Sequence, residues 1–290
     1  MAMRGESAEM KNRGNDDGGR ILDVLIATHG PSGLERVAEM ALPEEAGVGY
    51  VVTWQLSAKD SAIPAALMRH DIEIHKVDSV GSSSNHNDGI ALSKAPYCLF
   101  ADNDLDYTAE GLMAVMDSFR SHPEVDIATF RHDGEPVSYP AEEIDFTDRM
   151  PKGYSVATYE IAARREAIKD IRFDPNFGIA APLAAIEDGL FIHDCRRAGL
   201  RCRFFPVTIV THKGISTGYR KITDCRVAMA EGAYIRIAYG WKGYPRVPLF
   251  AWRAWRCGRL SLVWGIYHLT RGFFSKYVAL HRSAHPLRSC

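Results

Sequence analysis

Short, mostly apolar runs recur along the chain, and each stops at a polar or glycine-rich stretch. Residues 21–27 read I-L-D-V-L-I-A, 50–56 read Y-V-V-T-W-Q-L and 97–101 read Y-C-L-F-A, with shorter runs at 72–77 and 125–130. Apolar runs of this length with little alternation suit strands buried on both faces, as in a parallel sheet. Between them the spacing becomes helical, at 34–42, near 61–68 and at 109–121. In the last of these Leu112, Val115, Met116 and Phe119 share a face and Thr108 stands at the N-cap. A polar loop at 81–89, G-S-S-S-N-H-N-D-G, leads into a short helix predicted over 89–93, just before the strand at 97–101. This alternation indicates an α/β domain: a mainly parallel central sheet with flanking helices.

Farther on the pattern loosens. Residues 132–151 are rich in Pro, Asp and Glu and read as an irregular excursion; a strand at 154–158 and a helix at 159–169 are expected next. A turn-rich loop at 173–178 leads to a helix that has Glu187 and Asp188 in its first turn, Leu190, Phe191, Cys195 and Ala198 on one face, and Gly199 as C-cap. The last strand, 203–211, runs into T-H-K-G, and a helix is expected at 224–238. The pattern divides the chain into a tail at 1–20, polar, glycine-rich and expected to be disordered, an α/β domain at 21–220, and a helical extension at 221–290. The tail lacks the apolar core of a signal peptide, so the expected location is the cytoplasm.

Net charge is only −1, but its distribution is uneven. After Glu231 there is no Asp or Glu, while ten Lys and Arg follow; the preceding part holds the other 25 basic residues against 36 acidic ones, a charge of −11. Four of the five tryptophans, Trp241, Trp252, Trp255 and Trp264, lie among those ten cations. The apolar stretch at 260–269 is bounded by Arg259 and Arg271 and falls short of the roughly 20 residues a bilayer span requires. Aromatic residues beside cations suit a helix lying in a membrane interface, and the alternative is a helical subdomain packed on the core with solvated arginines. The six cysteines form no C-x-x-C pair and read as reduced thiols.

The candidate chemistry collects at the ends of the predicted strands, where open parallel sheets bind ligands. Asp102-Asn103-Asp104 follows the strand at 97–101 and offers two carboxylates to a hard cation such as Mg²⁺ or Mn²⁺ bridged to phosphates. Thr28 and Gly30 begin a loop whose backbone can approach a nucleotide closely. Asn85, His86 and Asn87 lie in the polar loop before the same strand. Glu187 and Asp188 sit where a helix dipole favours carboxylates, and one of them is placed to act as a general base. His212, at a strand end before Gly214, is placed to complete a metal's coordination.

This combination of a Thr-containing first loop, an Asn-rich loop, D-N-D, E-D and T-H-K-G resembles a GT-A fold glycosyltransferase. It is most similar to family 2, inverting enzymes that build bacterial cell-surface polysaccharides, over residues 21–218. The resemblance implies that Asp102 and Asn103 contact the donor, that Asp104 and His212 hold Mn²⁺ or Mg²⁺ between the donor phosphates, and that Asp188 is the catalytic base. It places Thr28 and Gly30 against the uracil and ribose of a UDP-sugar. It also implies a saccharide or lipid-linked saccharide acceptor, with the basic extension on the inner membrane surface. Two positions depart from the family pattern: Gln55 replaces the acidic residue that grips the base, and His86 stands where Arg is common between Asn85 and Asn87. A sugar-phosphate nucleotidyltransferase would need a basic glycine-rich loop that 28–33 lacks. An EF-hand needs Gly and Glu where Tyr107 and Met113 stand. No recognition motif accompanies the basic tail, which argues against nucleic acid as a partner.

Overall fold

The computed structural model describes residues 19–57, 62–134, 137–214 and 221–284. The tail expected to be disordered therefore lies outside these residues, apart from Gly19 and Arg20, as do Ser61 and Cys290. One nine-stranded sheet dominates, with strand order β3-β2-β1-β4-β8-β6-β9-β5 and β7 added beside β9. Its parallel half is β1 (Leu22–His29), β2 (Val48–Gln55), β3 (Ile72–Val77) and β4 (Tyr97–Ala101). Beyond β4 the sheet is mixed. β8 (Ile161–Arg164) runs antiparallel to both β4 and β6 (Ile127–Asp133), while β9 (Cys202–His212) is parallel to β6. β5 (Leu105–Tyr107) and β7 (Ile144–Asp145) pair antiparallel with β9. The mainly parallel sheet expected from the alternation thus holds for the first half only.

The one charge in the first strand run has a definite use. Asp23 is fully buried, and its Oδ2 accepts from Ser93 Oγ (2.8 Å) and from the N–H groups of Lys94 (2.8 Å) and Ala95 (2.9 Å). It ties the turn before β4 to β1, while its Oδ1 pairs with Arg20 Nε at 3.1 Å.

Several local expectations are corrected. The polar stretch at 81–89 is not a loop before a short helix; it is most of α2 (Ser82–Leu92). Ser and Asn are poor helix formers, but here their side chains bond to other segments: Ser83 Oγ to the Phe177 carbonyl (2.6 Å), Asn85 Nδ2 to the Thr28 carbonyl (3.0 Å) and Asn87 to both backbone groups of Phe173. Polar tertiary contacts do for α2 what an apolar stripe does for an ordinary helix. The helix expected at 159–169 is instead strand β8, because Ile161, Ala162 and Ala163 fill the slot between β4 and β6, a tertiary demand that overrides alanine's helix propensity. No strand forms at 154–158, where Tyr154 and Val156 are simply core side chains. The helix expected near 61–68 is one 3₁₀ turn, Ala65–Leu67, and that expected at 34–42 shortens to α1 (Gly33–Ala38). By contrast α3 (Ala109–Ser121) has the expected bounds, and Thr108 Oγ1 accepts from Gly111 N–H at 3.0 Å.

The extension forms α5 (Cys225–Tyr239), α6 (Arg246–Arg256), α7 (Leu262–Phe273) and α8 (Lys276–Ala284). It is packed on the α/β domain: Ala230, Ala233 and Ile237 of α5 and Val278 of α8 share a core with Phe177, Leu183 and Leu190. The α5–α7 crossing is backbone-close. A Cβ on Gly232 would stand 1.9 Å from the Leu269 carbonyl oxygen, and one on Gly272 1.9 Å from that of Met229. On α8, buried His281 bonds Asp174 Oδ2 (2.9 Å) and Asp194 Oδ1 (3.2 Å), the latter on α4 (Glu187–Arg197). Burial alone would lower this imidazole's pKa, but the two carboxylates overcome it and raise it to about 9.

Candidate active site

The site is built at the end of β4. The chain leaves Ala101, turns through Asp102, Asn103 and Asp104, and enters β5, which sets Leu105 opposite His212 of β9. Lys213 N–H donates to the Asp104 carbonyl at 3.1 Å. This register brings together two residues far apart in sequence: His212 Nε2 lies 3.4 Å from Asp104 Oδ2. The His212 ring stacks on Tyr159, with centroids 5.1 Å apart. Asp104 keeps 49 % of its side chain exposed. A Cβ on Gly214 would fall 3.5 Å from His212 Cε1 and 3.9 Å from Asp104 Oδ2, so glycine there leaves room over both groups. A carboxylate oxygen and an imidazole nitrogen at an open edge fit an ion that draws its other ligands from water or phosphate. Among the described residues no three His, Cys, Asp or Glu side chains converge into a complete cage.

The wall formed by β1 and β2 is braced internally. Thr28 is buried; its hydroxyl donates to the Gly33 carbonyl (3.0 Å) and accepts from Asn103 Nδ2 (2.6 Å). Trp54 Nε1 holds the Gly30 carbonyl at 2.7 Å, and Gly30 takes a φ of +78° that favours glycine. Gln55 Nε2 donates to Ser79 Oγ (2.7 Å) and to the Gly81 carbonyl (3.1 Å). Thr28, Asn85 and Asn87 therefore shape the crevice through hydrogen bonds within the protein. His86 is buried between Phe100 and Phe173, with Nε2 3.7 Å from Asp102 Oδ1. Burial pushes it down to about 4, so it stands neutral near pH 7 and supplies no positive charge to a phosphate. Asp106 turns away from this group: it accepts from Ala41 N–H and pairs with Lys213, each at 2.8 Å.

Opposite lies the first turn of α4. Glu187 accepts from Ser82 Oγ at 3.0 Å, and Asp188 Oδ1 from Gly189 N–H at 2.6 Å. The approach to this turn is strained. Ile186 has φ +74° and Ala180 φ +64°, and a β-branched residue in that region costs on the order of 1–3 kcal/mol. A Cβ on Gly178 would press to 2.3 Å from Ser82 Oγ. Tight packing against α2 thus holds the carboxylates in place. Burial, followed by the charge of Glu187, raises Asp188 well above the usual carboxylate range, and Glu160 and Asp102 add to it. Desolvation likewise pushes Asp102 up to about 7, with the charges of Asp104 and Glu187 acting in the same direction. These mutual effects put the D-N-D and E-D carboxylates within electrostatic reach of one another.

Sequence patterning missed Glu160. It lies in the turn before β8, is almost fully buried, and bonds His132 Nδ1 (2.7 Å), the Tyr139 hydroxyl and Ala157 N–H (2.8 Å). Nothing in T-Y-E-I-A-A-R marks it. Also missed was a cavity of about 930 Å³ between the 147–156 segment, α4 and α5, which Asp188 helps to line.

The strand order and the carboxylate-bearing end of β4 define the GT-A type of nucleotide-diphospho-sugar transferase fold. No family model matches the chain, and no curated protein does. Solved structures do. The chain superposes on S. aureus TarS 1–349 in complex with UDP with a TM-score of 0.52 and 14 % identity, covering 81 % of this chain and 72 % of that one. Against the same TarS fragment in complex with UDP-GlcNAc the TM-score is 0.51 at 14 % identity, covering 89 % and 74 %. At this identity the likeness is one of fold.

Proposed function

We propose that the protein is an inverting, metal-dependent glycosyltransferase that uses a nucleoside-diphosphate sugar, a UDP-sugar in the first instance, in cell-surface polysaccharide synthesis. The observation that carries this reading is the convergence of Asp104 with His212 at 3.4 Å, with a half-buried, pKa-raised Asp188 within electrostatic reach of the neighbouring Asp102. The UDP and UDP-GlcNAc complexes of the structural neighbour support the donor class.

Asp104 and His212 would hold Mn²⁺ or Mg²⁺, which when bound offsets charge on the leaving diphosphate. Asp102 and Asn103 orient the donor from below. Asp188 accepts the proton of a saccharide hydroxyl as its oxygen bonds to the anomeric carbon. The bond from that carbon to the β-phosphate oxygen breaks on the opposite face, which inverts the centre. A raised pKa makes Asp188 a stronger base than an exposed carboxylate, provided it is ionised.

A thermal-shift panel of nucleotide sugars with and without Mn²⁺ tests this directly. A UDP-sugar should raise Tm more with Mn²⁺ than without, and Asp104→Ala should abolish the difference. An equal shift with and without the ion in the wild type would sink the metal assignment.

The outer face of the extension supports peripheral attachment to an anionic membrane, as would suit a lipid-linked acceptor. Val263 (78 % exposed), Tyr267 and Phe274 of the α7 region and Trp252 and Trp255 of α6 are solvent-facing beside Arg253, Arg256 and Arg271. Among the described residues no helix is long and apolar enough to cross a membrane. Truncation at residue 244 would remove α8 and expose buried Asp174 and Asp194, so point variants make the cleaner test. Trp255→Glu with Tyr267→Glu should release the protein from vesicles containing anionic lipid; undiminished vesicle binding would contradict the reading.

A further inference from the structure

The cavity lined by Asp188 has a charge pattern that the chemistry above does not use. Five cations line it: Arg149 and Lys152 from the excursion after β7, Arg196 and Arg197 from the last turn of α4, and Arg246 from the start of α6. Among the described residues none of them has a carboxylate within ion-pair distance, although many other surface arginines do, Arg69, Arg164, Arg203 and Arg226 among them. Arg196 is oriented by a bond from Nε to the Thr147 carbonyl (2.9 Å), and Arg246 stacks over Tyr239 with its guanidinium carbon 4.1 Å from the ring centroid. Two acidic residues besides Asp188 share the lining: exposed Asp148, and Glu231, which burial pushes up to about 7.

A neutral sugar acceptor gives such a lining no task, and five cations beside three carboxylates, none paired with them among the described residues, leave an excess of positive charge that repels itself. Their placement is also informative. Asp188 is in the first turn of α4 and Arg196 in the last, about 12 Å along the axis at a rise of 1.5 Å per residue. An occupant reaching both would present a hydroxyl to Asp188 and an anionic group to the cations. Guanidinium groups bind phosphate through paired N–H donors, and a set of five exceeds what a single carboxylate would need.

We propose that this cavity is the acceptor site and that the acceptor is a hydroxyl compound carrying phosphate about 12 Å from the hydroxyl that receives the sugar. The proposal rests on the glycosyltransferase reading for the word acceptor; the anion site itself does not.

The test uses the full chain and keeps the two readings separate. With EDTA present to disable metal-dependent donor binding, tripolyphosphate is titrated by calorimetry at low and at moderate salt. The wild type should bind, and affinity should fall as salt rises. Arg149→Gln, Lys152→Gln and Arg197→Gln combined should weaken binding at least tenfold. All three residues are exposed and make no side-chain hydrogen bond among the described residues, so the Mn²⁺-dependent UDP shift of the same variant serves as its fold control. Transfer is then compared between a saccharide and its phosphorylated and uronic-acid counterparts. The phosphorylated form should have the lowest KM, and the triple variant should remove that advantage. Tripolyphosphate binding unchanged in the triple variant, or no KM preference for the phosphorylated over the neutral or uronate acceptor, would overturn the proposal. Loss of the UDP shift with retained polyphosphate binding would instead overturn the glycosyltransferase reading.

Discussion

The two walls of the crevice are built on different principles. On the β1–β2 side the polar groups are spent on one another: Thr28 with Gly33 and Asn103, Asn85 with Thr28, Gln55 with Ser79 and Gly81. That wall is braced internally, with the carboxylates of Asp102 and Asp104 at its floor. On the α4–α5 side the cations make no ion pair among the described residues, and the space between them is wide. The first arrangement would select by shape, because its donors and acceptors are already fixed. The second would select by charge and tolerate variation in its occupant. Asp188 stands where the two meet: it lines the cavity and lies within electrostatic reach of Asp102.

The largest expected effect comes from that meeting point. Asp188→Asn should lower kcat by about 10²–10⁴-fold, the usual scale for a general base, while the Mn²⁺-dependent UDP shift persists. Retained turnover would remove Asp188 from the chemistry and dissolve the contrast between the walls. Next in size is the clamp behind the second wall. His281→Ala leaves Asp174 and Asp194 buried without their shared partner, a change of about 3–5 kcal/mol for a broken buried ion pair. Its pH dependence follows from the sign of the shift. The folded pKa is raised to about 9 from 6.5, so the stabilisation is complete below about pH 6.5 and is lost as pH rises through 9. Urea unfolding of wild type and variant should therefore differ strongly at pH 6 and converge near pH 9.5; the same gap at both pH values would show that packing, not charge, does the clamping. The smallest effect tests the coupling between neighbours. The Glu187 charge helps hold Asp188 above the carboxylate range, so Glu187→Gln should move the acid limb of the kcat/KM profile to lower pH. An unmoved limb would assign that limb to another group.

The β1–β4 side was largely legible in the sequence. D-N-D follows an apolar run whose burial made it a central strand, and Thr108 and Gly199 marked helix ends through local bonding that needs no distant partner. Legibility failed where distant partners decide. The Ser/Asn stretch at 82–87 reads as a loop by propensity, yet it is helical because Thr28, Phe173 and Phe177 supply its hydrogen bonds. The alanines of β8 read as helix until β4 and β6 leave a strand-shaped gap. The basic extension raised a choice between packing and membrane contact. Its inner face, through Val278 and His281, packs on the α/β domain, and its outer face keeps its aromatic and basic character.

By itself, then, the sequence determined which short runs are buried strands and which acidic motifs end them, because strand burial and helix capping depend on neighbours a few residues apart. Only the tertiary structure decided that His212 meets Asp104, that Glu160 lies within electrostatic reach of Asp188, and that five cations, none ion-paired among the described residues, face one cavity. Each of those depends on sheet register or helix packing between segments distant in the chain, and no local pattern encodes which distant segment will arrive.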